Sequence, residues 1–305
     1  MTAPPAAGSA GVRERPPAGW RGPSPVLLVL AAVGAVLLAV VATTSWPAFG
    51  DEQAYWGAAQ RLNAGQPLYD AGAAINAPYA YWYPPVLAQV LAPFTNVLAR
   101  ETFTVFWTLL LVGCVWILAG RNVLVALACV AFLPVALELQ VRNAHLVVAL
   151  LIVLALRRSW VFWIPAAAMK LAPGLGVLYL LAAGRRREAA LVAVAGTAVI
   201  ALSYALAPGA WVDFVAVATG RAASDGGTFV AVPYAFRFLA GVIIVVVAGR
   251  RGGRAGEVGL VVAITIANPT LWANAFSILL AILPLLRTAP NAGAPSRGEP
   301  GVIHT

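Results

Sequence analysis

Two side chains have the type and setting to do chemistry, Asp51 and Lys170. Asp51 lies in the stretch 46–85, WPAFGDEQAYWGAAQRLNAGQPLYDAGAAINAPYAYWYPP, which is polar inside an otherwise apolar chain. This stretch carries three acids against one arginine and holds five of the chain's eight tyrosines. Asp51 has two compatible readings: an N-cap that satisfies orphan N–H groups at a helix start, or a carboxylate facing a site at a membrane surface. Lys170 is the one lysine among nineteen arginines. A lone ammonium where arginine fills every other basic position suits a specific point charge, such as one held against a phosphate. The competing reading is a lysine that snorkels to the interface.

Other polar residues have milder readings. Glu138 and Arg142 stand at i and i+4, a spacing that pairs charges on one helix face. His145, two residues after Asn143, reads as satisfying a helix end. The group Tyr79, Tyr81, Trp82, Tyr83 is either an interfacial aromatic belt or the lining of a sugar or lipid site, where a ring offers an apolar face and a hydroxyl. No H-E-x-x-H, C-x-x-C, P-loop or dinucleotide fingerprint occurs, and His145 and His304 are the only histidines. No metal or other cofactor is called for. Cys114 and Cys129 fall in apolar runs and read as buried small residues.

These residues must be positioned by helices in a membrane. Of the 305 residues, 61% are hydrophobic and 10% charged, well below the roughly 25% charge of soluble domains. The net charge of +9 does not point to nucleic acid, because the arginines flank apolar runs, where topology accounts for them. Residues 1–24 read as a disordered cytoplasmic arm and 288–305 as a disordered tail, leaving a multi-spanning domain over 25–287. Residues 26–42 form an apolar run of spanning length. A signal peptide is the alternative, but its apolar region is usually shorter.

Later apolar runs cover about 84–98, 102–119, 123–138, 144–156, 159–184, 189–206, 234–249, 257–268 and 271–286. Arginine placement is consistent only if 84–98 is re-entrant and 159–184, interrupted by Pro165 and Pro173, is a hairpin with Lys170 at its tip. The 46–83 loop is then extracytoplasmic. Asp51, Glu138, Gln140, Arg142, Asn143, His145, Asp213, Asp225, Asn268 and Lys170 all come to that outer side. Within the loop, Tyr55, Ala58, Ala59 and Leu62 repeat at helical spacing, and Gly65 and Pro67 stop the pattern. Residues 52–64 are therefore expected to form a short amphipathic helix.

Asp51-x-x-x-Tyr55, Ala58/Ala59, Leu62, Gly65, Leu68-Tyr69 and Tyr81-x-Tyr83-Pro84-Pro85 together resemble the first outer loop of the polyprenol-phosphate-mannose-dependent α-mannosyltransferases (glycosyltransferase family 87, GT-C superfamily). Gln140 to Asn143 resembles a Gln/Asn motif with Arg142 intruding. Lys170-x-x-Pro173 resembles a Lys-x-x-Pro motif, and Asn268-Pro269-x-x-Trp272 a Pro-x-x-Trp motif. Asn274 stands where the family often has histidine. The resemblance implies an all-α, polytopic GT-C-type bundle in the cytoplasmic membrane with its active site on the extracytoplasmic side. It implies transfer of a sugar, mannose by resemblance, from a polyprenyl-phosphate donor to a lipid or glycan acceptor, as in lipoglycan synthesis.

In that chemistry Asp51 is the expected base, taking the acceptor's proton during single inverting displacement. Lys170 and Arg142 are the expected phosphate cations. Tyr55, Tyr69, Tyr81, Tyr83, Gln140, Asn143, His145, Trp272 and Asn274 are expected to line the substrates. Membrane lipids are the remaining expected partners. The alternatives are a non-catalytic lipid-glycan transporter or flippase, or an inactive relative. A transporter is expected to show paired halves or midplane charges, and the sequence shows neither.

Overall fold

The computed structural model describes residues 23–44, 50–70, 80–224 and 231–287. The expectations for both chain ends, Tyr79 and Asp225 fall outside these residues. Every regular element among them is helical. In chain order these are α1 (Pro25–Thr44), α2 (Asp51–Asn63), α3 (Pro85–Thr95), α4 (Arg100–Leu118), α5 (Val123–Val130), α6 (Leu133–Val141) and α7 (His145–Arg157). Then come α8 (Trp163–Met169), α9 (Leu175–Ala182), α10 (Arg186–Leu206), α11 (Pro208–Ser224), α12 (Tyr234–Arg251), α13 (Gly253–Ile266) and α14 (Ile282–Arg287). Tighter 3₁₀ turns occupy Trp160–Phe162, Ala172–Gly174 and Ala273–Ala281.

Helices α1, α4 and α10 are long and apolar enough to cross a membrane. The expected single run over 123–138 is instead two helices, α5 and α6, bent by 85° at a short break. Pro134 sits in the first turn of α6, where its missing N–H does no harm, whereas it would interrupt a continuous helix. Taken together that pair is also long and apolar enough for a broken span or a re-entrant loop. The run 84–98 holds only the 11 residues of α3. At 1.5 Å per residue that is ~16 Å, about half the hydrocarbon thickness. The run 159–184 is broken as its prolines imply, with Lys170 as the extended residue between α8 and the 172–174 turn.

Helix α7 is the centre. Nine of its thirteen residues are buried, around its whole circumference, as in a helix enclosed by others. It packs on α4, α6, α8 and the 273–281 segment. The outer helices turn apolar side chains outward. Val29 and Val36 on α1, Val194 and Leu202 on α10 and Phe236 on α12 are all more than 60% exposed. Apolar area of this extent suits hydrocarbon better than water.

Small residues let the helices approach closely, since packing carries helix association in lipid. Gly249 of α12 faces α9, where a Cβ would come 2.8 Å from the Tyr179 carbonyl oxygen and 2.7 Å from the Ala182 Cβ. Gly249→Val is therefore expected to overpack this crossing and destabilise the protein by about 1–3 kcal/mol, read as a lowered melting temperature in detergent. Gly113→Val in α4, where a Cβ meets nothing within 4 Å, is the matched control.

Candidate functional site

Helix α2 begins one residue earlier than the sequence pattern implies. Gly50 occupies the cap position and has no side chain to offer, and Asp51 is the first helical residue. The cap reading of Asp51 therefore gives way. Its carboxylate instead accepts a hydrogen bond from the Asn143 side-chain amide, across from α2 to the α6–α7 turn. The apolar face of α2 is placed as its spacing requires: Tyr55, Ala58 and Ala59 are fully buried, packed toward α3 and α4.

The partner of Asp51 is held in place by a backbone that a non-glycine residue rarely adopts. Arg142 ends α6 in the left-handed region, at φ 51°, which costs on the order of 1–3 kcal/mol. Two contacts hold it there. The Trp107 indole donates to the Arg142 carbonyl at 2.8 Å. The Arg142 guanidinium meets Glu52 at 2.8 Å, both side chains buried. Burial pushes the Glu52 carboxyl up, and the Arg142 charge and hydrogen bond pull it back. The expected pairing of Arg142 with Glu138 does not form. The i, i+4 rule assumes one continuous helix, and the left-handed turn carries the guanidinium to α2 instead.

Glu138 is fully buried behind this turn. It accepts from the His145 backbone N–H at 2.6 Å and from Asn274 Nδ2 at 2.8 Å, and the His145 ring meets it through Nδ1 at 2.9 Å. His145 therefore does not cap a helix with its ring, as the sequence reading has it. Its ring goes to Glu138, and Asn143 Oδ1 accepts from the Ala144 N–H at 2.6 Å.

These groups surround a cavity of about 710 Å³. Asp51, Tyr83, Asn143, His145, Lys170, Trp272 and Asn274 line it, as do Trp82, Tyr234 and Asn268. Its apolar wall includes Leu137, Val141, Met169, Leu171, Phe214 and Val217. The Lys170 ammonium stands 3.4 Å from the Tyr83 hydroxyl and 4.7 Å from the centre of that ring. Burial raises the Asp51 carboxyl to about 6, aided by Glu138 and Glu52 and opposed by Lys170 and Asn143. Among the described residues no three His, Cys, Asp or Glu side chains form a metal-sized cluster.

The other expected lining residues stand elsewhere. Tyr55, Tyr69 and Tyr81 are buried scaffold. The Tyr55 hydroxyl donates to the Tyr83 hydroxyl at 2.9 Å, Tyr69 to the Tyr83 carbonyl at 2.6 Å and Tyr81 to the Pro84 carbonyl at 2.8 Å. All three thus fix the 81–84 segment that presents Tyr83. Arg142 is not among the lining groups, being committed to Glu52, and Gln140 is exposed away from the cavity. Asp213 is exposed on α11.

Two positioning residues escaped the sequence reading. Glu52 had a signal in the intruding Arg142, an unexplained cation needing an anion. Arg237 of α12 donates to the carbonyls of Val232, Ile266, Asn268 and Pro269 at 2.6–3.1 Å. It thereby fastens the 266–269 turn that carries Asn268 to the cavity. An arginine inside an apolar helix was its only signal.

No protein-family model, characterised protein or solved structure matches this chain.

Removing one member of a buried ion pair strands the other, an effect of about 3–5 kcal/mol. Arg142→Met is expected to destabilise the protein by that order, while Glu52→Leu combined with Arg142→Met is expected to recover part of the loss. Unfolding of the two single variants and the double variant in the same detergent measures the coupling.

Proposed function

We propose that this protein is a membrane glycosyltransferase. It moves a sugar, mannose by the motif resemblance, from a polyprenyl-phosphate donor to a hydroxyl of a lipid or glycan acceptor on the extracytoplasmic side. The observation that carries this reading is the meeting of Asp51 and the chain's only lysine at one cavity, which also has an aromatic and apolar wall. These two residues are 119 positions apart in the sequence.

Each part suits one requirement. Asp51, partly buried and fixed by Asn143, takes the acceptor's hydroxyl proton as its oxygen attacks the anomeric carbon. The carbon–oxygen bond to the phosphate breaks, and the phosphate leaves as an anion. Lys170, three donors on one mobile stem, meets that charge. Tyr83 and Trp82 offer ring faces to a sugar. The apolar side chains of α8 and α11 accept a prenyl chain. Transfer by the purified protein in lipid, from radiolabelled polyprenyl-phosphate sugars, is the direct test; no transfer from any of them would sink the reading.

The raised Asp51 carboxyl gives two linked expectations. The transfer rate should climb with pH through a midpoint near 6, as the base becomes free to accept a proton, and Asp51→Asn should lose at least ~10²-fold in rate. Stability should move the other way. The folded protein holds this proton up to about 6, while the unfolded chain releases it near 3.8. The stabilising contribution is therefore full below 3.8 and lost as pH rises through 6. At neutral pH the ionised carboxylate is a net cost of about 1–3 kcal/mol. Asp51→Asn should thus melt above wild type at pH 7.5 while transferring little sugar. A variant with lowered activity and lowered stability would instead mark Asp51 as structural.

Lys170→Met should weaken binding of a prenyl-phosphate sugar while leaving the melting temperature near wild type. Lys170→Arg should restore binding only in part, because a planar guanidinium replaces a compact ammonium. Titration calorimetry in detergent separates these from a merely snorkelling lysine, for which all three proteins would bind alike.

A further inference from the structure

Helix α12 starts at the cavity with Tyr234 and ends in Arg250 and Arg251, ~26 Å away at 1.5 Å per residue. This far end of the bundle carries a dense group of arginines. Arg185, Arg186 and Arg187 lead into α10, and Arg250, Arg251 and Arg254 flank the turn from α12 to α13. Packing brings the two turns together. A Cβ on Gly249 of α12 would lie 3.2 Å from the Ala183 backbone nitrogen at the end of α9, so the residues that follow, 184–187 and 250–254, are neighbours. The acids of these helices are already taken. Glu188 holds Arg185, and Glu257 holds Arg157 of α7. Arg186, Arg187, Arg250, Arg251 and Arg254 are exposed and have no ion pair among the described residues.

Membrane topology accounts for arginines near helix ends, but it depends on their number and does not require two loops to be packed side by side. Five unpaired cations on adjacent turns repel one another, and an anion held between them relieves that repulsion. The surface beside the arginines selects the kind of anion. On α12, Ile243, Val247, Arg250 and Arg251 fall at i, i+4, i+7 and i+8, one helix face. On α10, Arg187, Leu191 and Val194 fall at i, i+4 and i+7. The aliphatic members are all exposed, Val247 by 59% and Val194 by 70%. Leu181 of α9, the helix that packs on both, is half exposed. Each face thus begins in guanidinium and continues in hydrocarbon. A nucleic acid or an acidic peptide matches only the charged part. A phospholipid of net negative charge matches both, since its phosphate oxygens accept paired guanidinium hydrogen bonds and its chains cover the aliphatic side chains.

We propose that the α9–α10 and α12–α13 turns together hold the headgroup of an anionic phospholipid, with its acyl chains against the outward faces of α10 and α12. Arg186 and Arg187 bind it from one turn and Arg250, Arg251 and Arg254 from the other. The site is separate from the cavity and does not depend on the sugar-transfer reading.

The test reconstitutes the full chain in nanodiscs of phosphatidylglycerol and phosphatidylcholine in equal parts, with matched chains, and identifies the lipid that stays bound after extraction into detergent by native mass spectrometry. Wild type should retain phosphatidylglycerol over phosphatidylcholine by roughly tenfold or more. Two double variants each disarm one turn: Arg186→Gln with Arg187→Gln, and Arg250→Gln with Arg251→Gln. Both should bring the ratio to within about twofold of unity, because the headgroup needs both turns. The four substituted arginines are exposed and unpaired, so both variants should melt near wild type. Arg121→Gln with Arg287→Gln removes the same charge beside the α4–α5 turn, where Arg287 donates to the Ala119 carbonyl, and should keep the preference. No preference in wild type, a preference unchanged in either turn variant, or one lowered as much by the control would overturn the proposal. Displacement of the lipid by millimolar free glycerol phosphate would also overturn it, marking a site for free anions in place of a lipid.

Discussion

The buried pair between Glu52 and Arg142 is the contact on which the rest of the site depends. It is the second of two successive acids at the start of α2, and the two have different tasks. Glu52 reaches down to the guanidinium that ends α6, with both side chains out of solvent, while Asp51 reaches across to the amide of the next residue, Asn143. An interaction of this kind contributes little net stability once desolvation is counted, but it penalises every arrangement that separates its members. Its effect is therefore one of register. It admits only the docking of α2 that sets Asp51 against Asn143, and it holds Arg142 in a backbone region that the residue would otherwise leave. Gly50 belongs to the same contact: a Cβ there would lie 2.8 Å from Nε of Arg142, so the close approach of the loop to the guanidinium needs a residue without a side chain.

Charge is distributed around the cavity so that each buried acid is met by a donor. Glu52 has Arg142, Glu138 has His145 and Asn274, and Asp51 has Asn143, with Lys170 near both Asp51 and Glu138. Lys170 is the only one of these cations without an ion pair to a single carboxylate within 4 Å, although its ammonium lies close to the Tyr83 hydroxyl. An anion entering the cavity would meet an ammonium whose charge is shared rather than neutralised. Arg142, spent on its own carboxylate, could not offer the same. This is why the phosphate role, expected of both cations from sequence, falls in the proposed mechanism to Lys170 alone.

Much of this was legible in the sequence, and the failures share a physical cause. The spacing of Tyr55, Ala58 and Ala59 located α2 and its buried face within one residue at each end. Pro165 and Pro173 located the interruption at Lys170, and the shortness of the 84–98 run matched the 11-residue α3. Asp51, Asn143, His145, Lys170 and Asn268, five of the ten polar residues that the arginines put on one expected side, line one cavity. What could not be read was which way side chains leave an irregular backbone. The pairing of Glu138 with Arg142 was inferred from helical spacing, and one left-handed residue sent Arg142 to α2. Tyr55, Tyr69 and Tyr81 belong to the same motif as Tyr83; regular extended backbone would put Tyr81 and Tyr83, at i and i+2, on one face, but the backbone bends at 83. Their hydroxyls serve the backbone and only Tyr83 reaches the cavity. The 85° bend between α5 and α6 was hidden for a related reason, because an apolar run has the same composition whether straight or folded over.

The interruptions themselves converge on one place. The left-handed turn at Arg142, the extended residue at Lys170, the 81–84 segment and the turn at 267–272 all border the cavity. In hydrocarbon a free backbone N–H or C=O is strongly unfavourable, so helices can be broken only where something else satisfies those groups. Here side chains do so: Trp107 takes the Arg142 carbonyl, Tyr69 and Tyr81 take those of Tyr83 and Pro84, and Arg237 takes those of Asn268 and Pro269. The same residues that make the breaks tolerable also aim the adjoining side chains. A continuous bundle of the same composition would point Asp51, Tyr83, His145 and Lys170 along four separate helix faces. Breaking the helices, and anchoring three of the four breaks with a buried aromatic or arginine, is what lets four chain segments place polar groups around one cavity.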